Sequence, residues 1–271
     1  MPTLLALPFP AIDPVIVAVG PFAIRWYALS YIAGLILGWQ MAMWLARKPD
    51  AKVTPEQIDG FLVWATLGVV LGGRLGYVLF YNPLYYLHNP AEILAVWSGG
   101  MSFHGGMLGV ILAMYLYCRR SGVNLFAFAD IIACVAPIGL FFGRIANFIN
   151  GELWGRVAPD VAWAMVFPTG GPEPRHPSQL YQAAMEGLIL FLLVNAVRMK
   201  GDALHKPGTL CGLFLVGYGL ARIIGEFFRQ PDQQLGYFIA GTTMGQWLSL
   251  PMVLLGLWLM ARARRDDSAA A

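Results

Sequence analysis

The sequence predicts an all-α integral membrane protein: a bundle of seven transmembrane helices with its N-terminus outside, its C-terminus in the cytoplasm and a small loop or arm region on the outer face. The 271 residues are 58% hydrophobic and only 12% charged, with a mean hydropathy of +0.61. A soluble domain carries about a quarter charged residues. Seven segments approach the length of about 20 apolar residues that crosses a bilayer, and the basic residues give their orientation.

The spans are predicted where long apolar runs occur. The third is the shortest, and its first residues include Ser102 and His104. The predicted spans are residues 21–46, 58–80, 101–118, 126–149, 180–197, 208–228 and 243–261. No linker or low-complexity tract interrupts them, so residues 1–271 are predicted to form a single membrane-embedded domain.

The first 20 residues are predicted to lie along the membrane surface. They lack the basic leader of a cleavable signal peptide. Prolines within and directly after this segment exclude one continuous helix. These prolines are Pro2, Pro8, Pro10, Pro14 and Pro21.

Eleven basic residues follow the first, third, fifth and seventh spans, and they include all four lysines. They are Arg47, Lys48, Lys52, Arg119, Arg120, Arg198, Lys200, Lys206, Arg262, Arg264 and Arg265. Basic residues concentrate on the cytoplasmic side of membrane proteins. The C-terminal ends of the first, third, fifth and seventh spans are therefore predicted to be cytoplasmic.

The other seven basic residues lie in spans or in the predicted outer loops, and all are arginines: Arg25, Arg74, Arg144, Arg156, Arg175, Arg222 and Arg229. Charged groups within a membrane are costly and usually functional. The planar fork of arginine matches phosphate oxygens. The pattern predicts an anionic, phosphorylated ligand reached from the outer half of the membrane.

The predicted outer loops, 81–100, 150–179 and 229–242, are longer than the inner ones. Within 150–179, the apolar stretch VAWAMVF (161–167) is predicted to form a small arm with strand character. Glycines four residues apart predict close helix packing. These are Gly68, Gly72 and Gly76, and the pairs Gly105/Gly109, Gly139/Gly143 and Gly208/Gly212.

The run GRIANFINGELWGR (143–156) places charged and amide side chains at the end of the fourth span. Arg144 and Asn147 are three residues apart and share a helix face. Gly143 removes bulk beside Arg144, which leaves room either for a ligand or for another backbone. Helix packing explains Gly143 and Asn147 but not Arg144, so a functional role is favoured for Arg144.

The sixth span carries Arg222, Glu226 and Arg229 on one face. A structural ion pair between Arg222 and Glu226 accounts for two of them. One glutamate cannot neutralise both arginines, so a positive charge is left for a ligand. Glu186, inside the fifth span, is predicted to pair with a nearby arginine.

His104, in SFHGG, suits a general base near neutrality because histidine titrates near pH 6.5. The alternative is a structural histidine at a helix start. In RHPSQLY (175–181), helix capping by Ser178 or Gln179 is favoured over catalysis. Tyr27 is either an interfacial aromatic residue or part of the site.

Cys118, Cys134 and Cys211 stand singly in apolar segments, so they are predicted to be small core residues. The four histidines are scattered, which predicts no metal site. The sequence also lacks HExxH, GxSxG and Walker motifs.

Four blocks together resemble the bacterial prolipoprotein diacylglyceryl transferase family. They are GRIANFINGELWGR, GGMSFHGG (99–106), RHPSQLYQ (175–182) and YGLARIIGEFFRQPD (218–232). Their order and spacing extend the resemblance over nearly the whole chain. It implies a seven-span inner-membrane bundle, with the N-terminus outside and the active site facing the periplasm.

The resemblance also implies the first step of lipoprotein maturation: transfer of the diacylglyceryl group of phosphatidylglycerol to the lipobox cysteine of a prolipoprotein, with release of glycerol phosphate. The implied partners are phosphatidylglycerol, the prolipoprotein signal peptide with its lipobox, and membrane lipids, with no cofactor, metal or nucleic acid. The implied catalytic residues are His104, Arg144 and Arg222. The implied phosphatidylglycerol-binding residues are Arg144, Asn147, Tyr27, Gly155 and Arg229.

The main alternative is a transporter or flippase for an anionic lipid, in which the same arginines would line a path. Transporters often contain internal repeats and midplane charges. The sequence shows no repeat, and its polar groups collect toward one face. Transfer is therefore favoured over transport.

Overall fold

A computed structural model describes residues 7–10, 12–20, 22–200, 203–231 and 236–270. This part of the chain is mostly helical. The helices are α1 (Trp26–Ala46), α2 (Pro55–Phe80), α3 (Pro83–His88), α4 (Phe103–Ser121), α5 (Leu125–Ile149), α6 (Ser178–Gln182), α7 (Leu190–Lys200), α8 (Thr209–Glu226) and α9 (Met244–Ala270). A π-helical segment, Ala183–Ile189, joins α6 to α7. The strands are β1 (Leu7–Pro8), β2 (Val15–Val19), β3 (Phe22–Arg25) and β4 (Met165–Val166).

Within the described residues, six helices are long and apolar enough to cross a membrane. They are Trp26–Ala46, Pro55–Phe80, Leu125–Ile149, Ser178–Lys200, Thr209–Glu226 and Met244–Arg265. They correspond to six of the seven predicted spans and indicate a multi-pass membrane protein. The third predicted span corresponds to α4, which is not among them. His104, three glycines and two terminal arginines dilute its apolar residues. The seventh span and the orientation stay predictions.

The chain divides into two compact units. The larger comprises Met1–Ala42 and Ala129–Ala271, and the smaller comprises Met43–Phe128. A single domain over residues 1–271 stays a prediction.

The N-terminal region departs from the all-α prediction because it contains strands. Residues 1–6 and 11 of the predicted surface segment, 1–20, lie outside the described part. β2 and β3 form an antiparallel hairpin, whose turn contains Gly20 at φ +59°, and α1 therefore begins at Trp26 rather than near residue 21. β1 pairs with β4 in parallel, which confirms strand character in the predicted arm at Met165–Val166.

In the smaller unit, α2 and α4 pack along a seam of glycines. A Cβ at Gly68 would lie 2.7 Å from the carbonyl oxygen of Gly109, and one at Gly76 would lie 2.7 Å from Cα of Gly105. Side chains would force these backbones apart. The predicted close packing is confirmed here, and it is the small-residue contact expected between membrane helices.

In the larger unit, α8 and α9 approach each other at Gly212 and Gly256. A Cβ on Gly212 would lie 2.7 Å from the carbonyl oxygen of Gly256. Gly208 precedes α8 at φ +100°, and close packing at this glycine stays a prediction. Buried Asp130 accepts hydrogen bonds from the N–H groups of Gly208 (2.8 Å) and Cys211 (2.7 Å). Asp130 thus satisfies amides that the first turn of α8 leaves free.

The cysteines agree with their predicted role. Cys118 and Cys134 are buried, Cys211 is half-buried, and none is in a disulfide.

Candidate active site

Glu186 pairs with Arg144 in the larger unit, where the π-helical segment meets α5. The Nε and Nη2 atoms of Arg144 donate to Oε2 of Glu186 at 3.1 and 3.0 Å. Glu186 is fully buried, whereas the Arg144 side chain is 17% exposed. A buried carboxylate is tolerated only when cations and hydrogen bonds compensate its lost hydration. The predicted pairing of Glu186 with an arginine is confirmed.

Helix α8 extends this pair into a larger cluster. Nη2 of Arg222 lies 2.9 Å from Oε1 of Glu226, and its Nη1 lies 3.8 Å from Oε1 of Glu186. Nη1 of Arg229 lies 3.4 Å from the same Glu226 oxygen. The Arg222–Glu226 pair is therefore confirmed. We call Arg144, Glu186, Arg222, Glu226 and Arg229 the arginine–glutamate cluster.

Two guanidinium nitrogens of the cluster remain available to donate hydrogen bonds to another acceptor. Nη1 of Arg222 is buried and makes no hydrogen bond within the described part of the chain. Arg144 directs only Nε and Nη2 to Glu186, and no described residue accepts from its Nη1. A guanidinium group with donors to spare can bind an anion in addition to its structural partner.

Glu152 holds Asn147 in place after α5 ends. The amide nitrogen of Asn147 donates to Oε1 of Glu152 at 2.7 Å, and the N–H of Glu152 donates to the Asn147 carbonyl at 3.0 Å. Gly151, at φ +63°, makes the turn between them. The sequence assigned no role to Glu152, and the structure makes it the residue that orients Asn147.

Ser178 and Gln179 fix the same turn from the start of α6. Ser178 Oγ donates to the Leu153 carbonyl at 3.0 Å, and Gln179 Nε2 donates to the Glu152 carbonyl at 2.7 Å. The predicted capping role is wrong, because α6 has no side-chain cap. Both side chains instead satisfy carbonyls of the 143–156 run.

Gly155 lies where three backbone segments meet. Its N–H donates to the His176 carbonyl at 2.9 Å. A Cβ there would lie 2.5 Å from that carbonyl oxygen and 2.6 Å from the oxygen of Phe228. Packing therefore explains this glycine, and a phosphatidylglycerol contact at Gly155 stays a prediction.

Arg156, one of the seven arginines in spans or predicted outer loops, caps the end of α8. Its Nη2 donates to the Glu226 carbonyl at 2.9 Å and its Nε to the Arg229 carbonyl at 3.1 Å. Cationic side chains commonly satisfy the last carbonyls of a helix in this way. Arg156 thus anchors the segment that carries Glu226 and Arg229.

Backbone carbonyls also bind two other arginines of the seven, so hydrogen bonds within the protein account for Arg74, Arg156 and Arg175. Arg74, only 3% exposed, donates to four carbonyls of the smaller unit, those of Glu92, Ile93, Gly99 and Gly100. Arg175 donates to the Gly170 carbonyl at 2.8 Å and lies 4.1 Å above the Trp154 ring.

Tyr27, in the first turn of α1, lies near the cluster. Its hydroxyl is 3.2 Å from that of Tyr31 and lies within electrostatic range of Arg144 and Glu152. The larger unit therefore brings Tyr27, Arg144 and Asn147 into one region. The ion pairs of Glu186 and Glu226 connect Arg222 and Arg229 to Arg144.

His104 lies in the smaller unit, in the first turn of α4. Oγ of Ser102 caps this helix by accepting from the Gly105 N–H at 3.2 Å. The imidazole is exposed, and no hydrogen bond links it to the described residues. An accessible ring is what a general base needs, and its catalytic role stays a prediction.

His176 and Tyr181 belong to the loop structure around the cluster. Nδ1 of His176 lies 3.2 Å from the Tyr181 hydroxyl, which accepts from Nε1 of Trp163 at 2.6 Å. Burial lowers the pKa of His176 below its ordinary value, so the ring is neutral at pH 7. These contacts give Tyr181 a structural role.

Sequence reasoning missed two buried polar side chains, Gln182 and Thr243. Gln182 is fully buried, and neither its amide nitrogen nor its amide oxygen has a hydrogen-bond partner among the described residues. Thr243 was also missed, although its hydroxyl donates to Glu226 at 2.7 Å. No sequence spacing signals the contact between Thr243 and Glu226, because it joins residues 17 apart, one at the end of α8 and the other directly before α9.

We expect Gly143→Ala to separate folding from ligand binding. A Cβ at Gly143 or Gly139 would meet no described atom outside its own helix backbone within 4 Å, so alanine should not lower the thermal midpoint and should stabilise the helix by up to about 1 kcal/mol. No other described segment packs against the Gly143 position, which favours the ligand alternative. Gly143→Ala should therefore raise KM for lipid, with Gly139→Ala as the control. Equal KM values in both variants would argue against this.

The fold and the site define a class: a multi-pass membrane protein with a buried arginine–glutamate cluster. Residues 14–262 match the family model described as prolipoprotein diacylglyceryl transferase. Proteins named phosphatidylglycerol–prolipoprotein diacylglyceryl transferase are similar along their length. The protein of Paramagnetospirillum magneticum is 62% identical over 98% of this chain and 99% of its own. That of Rhodospirillum rubrum is 59% identical over 97% and 96%, and that of Azospirillum brasilense 57% over 98% and 100%.

The chain therefore belongs to the prolipoprotein diacylglyceryl transferase family of bacterial membrane enzymes. The resemblance carried by the four sequence blocks is confirmed.

Proposed function

We propose that this chain transfers the diacylglyceryl group of phosphatidylglycerol to the cysteine thiol of a prolipoprotein, the first step of lipoprotein maturation. The observation that carries the proposal is the arginine–glutamate cluster in a chain of this family. Arg144 and Arg222 retain donors that suit a phosphodiester. The lipobox of the prolipoprotein supplies the thiol.

An apolar groove beside the cluster supports a lipid substrate. Its volume is about 150 Å³, and it is lined by Pro137, Ile138, Phe141, Phe142, Gly187, Leu188 and Phe191. Arg144 follows Phe141 by one turn, and Glu186 directly precedes Gly187. A lipid whose phosphate binds Arg144 would thus find apolar surface next to its acyl chains.

The reaction is a displacement at carbon. A thiol, with an ordinary pKa of about 8.5, needs a base to attack well at pH 7, and we assign this role to His104. The sulfur forms a bond to the glyceryl carbon as the carbon–oxygen bond breaks. The electron pair leaves with the phosphate, which departs as glycerol phosphate. Arg144 and Arg222 stabilise the charge that develops on it, while Tyr27, Asn147, Gly155 and Arg229 shape the headgroup site.

The same proposal sets the orientation. Eleven basic residues at the ends of predicted spans favour a cytoplasmic C-terminus and an N-terminus on the outer side of the bacterial inner membrane. Seven spans, including α4, are needed for that orientation. The cluster then faces the outer side, where secreted precursors arrive.

The test is incubation of purified protein with phosphatidylglycerol and a synthetic lipobox peptide. We expect the peptide to gain the mass of one diacylglyceryl group and one glycerol phosphate to appear per modified peptide. A peptide with serine in place of cysteine is the control. No mass gain, together with phosphatidylglycerol movement across proteoliposomes, would instead support the transporter.

We expect His104→Gln to lower kcat at neutral pH by about 10²–10⁴-fold, the usual contribution of a general base. The decrease should shrink at alkaline pH, where the thiol ionises without help. The measurement is kcat against pH for both proteins. A decrease of the same size at every pH would make His104 a hydrogen-bonding residue instead of the base.

A further inference from the structure

Glu186 is the one carboxylate in the described cluster that lies between arginines of two different helices. Its Oε2 accepts both hydrogen bonds from Arg144 on α5, and its Oε1 lies 3.8 Å from Nη1 of Arg222 on α8. Glu226, in contrast, pairs with Arg222 and Arg229, which lie on either side of it in sequence. Removing Glu186 would therefore leave Arg144 without an anionic partner among the described residues.

The local fold is built to bring Glu186 to this point. The helix that runs from Ser178 to Lys200 changes to π-helical winding at Ala183–Ile189, and Glu186 lies at its centre. Single π-helical turns often occur at functional sites. A Cβ on Gly187 would lie 2.7 Å from Cβ of Phe141. This glycine therefore lets α5 approach one turn before Arg144.

The Glu186 carboxylate partly neutralises the positive charge of Arg144 to which a phosphate would bind. Both groups are anions that guanidinium groups attract, and Glu186 is already present at contact distance. Oε1 of Glu186 makes no hydrogen bond within the described residues, so the carboxylate is held mainly by its ion pairs. An internal counter-ion of this kind lowers the affinity of a site for external anions while it keeps the arginines oriented.

We propose that Glu186 is a positioning residue that also acts as an internal counter-ion: it aligns Arg144 and Arg222 for one phosphodiester and keeps small anions from occupying them. The inference rests on the proposed function, because the phosphodiester is that of the lipid substrate. Weak phosphate binding matters for turnover, since glycerol phosphate must leave after each transfer.

The test compares binding of inorganic phosphate by wild type, Glu186→Gln, Glu186→Asp and Glu173→Gln at constant ionic strength. Binding is read from the rise of the thermal midpoint with phosphate concentration in detergent. We expect Glu186→Gln to bind phosphate at least about tenfold more tightly, the effect of a 1.4 kcal/mol competing interaction. Adding Arg144→Lys to Glu186→Gln should abolish the gain. Glu173→Gln is the control: Glu173 is 59% exposed, and its substitution should leave phosphate binding unchanged.

Glu186→Asp is a second variant that tests the proposal if Glu186→Gln does not fold. Aspartate keeps the charge but is one methylene shorter, so it cannot contact both guanidinium groups as glutamate does. We expect an intermediate gain in phosphate affinity. Unchanged or weaker phosphate binding in the folded variants would overturn the proposal, since a purely structural role lowers stability without raising anion affinity.

Transfer activity gives an independent readout. We expect Glu186→Gln to lower kcat because the arginines lose their alignment, while KM for phosphatidylglycerol does not rise. If wild type transfers lipid but Glu186→Gln gains no phosphate affinity, only this inference fails. If Glu186→Gln gains affinity while wild type transfers nothing, the proposed function fails.

Discussion

Replacing Arg144 by lysine is expected to lower kcat/KM for phosphatidylglycerol about 100-fold, the scale on which one oriented charge-stabilising donor contributes to catalysis. Lysine keeps the positive charge, but it is a point charge without a planar fork. It cannot bind Glu186 through two nitrogens, as Arg144 does, and still present a third to a phosphate.

The measurement is initial transfer rate against lipid concentration for the purified variant. Arg265→Lys is the matched control, because Arg265 is exposed near the end of α9 and belongs to no part of the site. It should transfer at the wild-type rate. Near-normal transfer by Arg144→Lys would contradict the assigned role, since charge alone would then suffice.

Replacing Gly155 by alanine is expected to destabilise the larger unit by about 1–3 kcal/mol, the usual cost of overpacking. The new methyl group would lie 2.5 Å from the His176 carbonyl oxygen and 2.6 Å from that of Phe228. Both atoms are backbone, so neither can rotate away. The two segments must separate, and the hydrogen bond from the Gly155 N–H to His176 would lengthen.

The thermal midpoint in detergent reports this cost, and Gly143→Ala provides a control in which the added methyl group meets open space. We expect transfer activity to fall together with the folded fraction. If Gly155→Ala instead kept the wild-type midpoint and lost only lipid affinity, Gly155 would be a direct ligand contact, as the family resemblance implies.

Hydropathy located six helices because lipid-facing helices must be apolar along their whole length. The predicted fourth span, 126–149, agrees with Leu125–Ile149 within one residue. The same signal failed at Phe22–Arg25, whose first three residues are apolar but which pairs with Val15–Val19 as a hairpin. Composition alone cannot distinguish a short apolar strand from the start of a helix.

The site was predictable only where its contacts are local. Arg222 and Glu226 are one helical turn apart, so spacing predicted their pair. Arg144 and Glu186 are 42 residues apart, so the sequence indicated only that Glu186 has some arginine partner. The sequence placed Arg74 with the ligand-binding pattern because its hydrogen-bond partners are backbone carbonyls. Every residue has a backbone carbonyl, so the sequence does not indicate such partners.

The central claim is that Arg144 and Arg222 bind the phosphodiester of the lipid substrate. Its most direct test is an experimental structure of the protein with phosphatidylglycerol. We predict phosphate oxygens within hydrogen-bonding distance, about 2.7–3.2 Å, of both guanidinium groups, with Glu186 still beside Arg144. A phosphate bound elsewhere, with neither Arg144 nor Arg222 in contact with it, would contradict the claim.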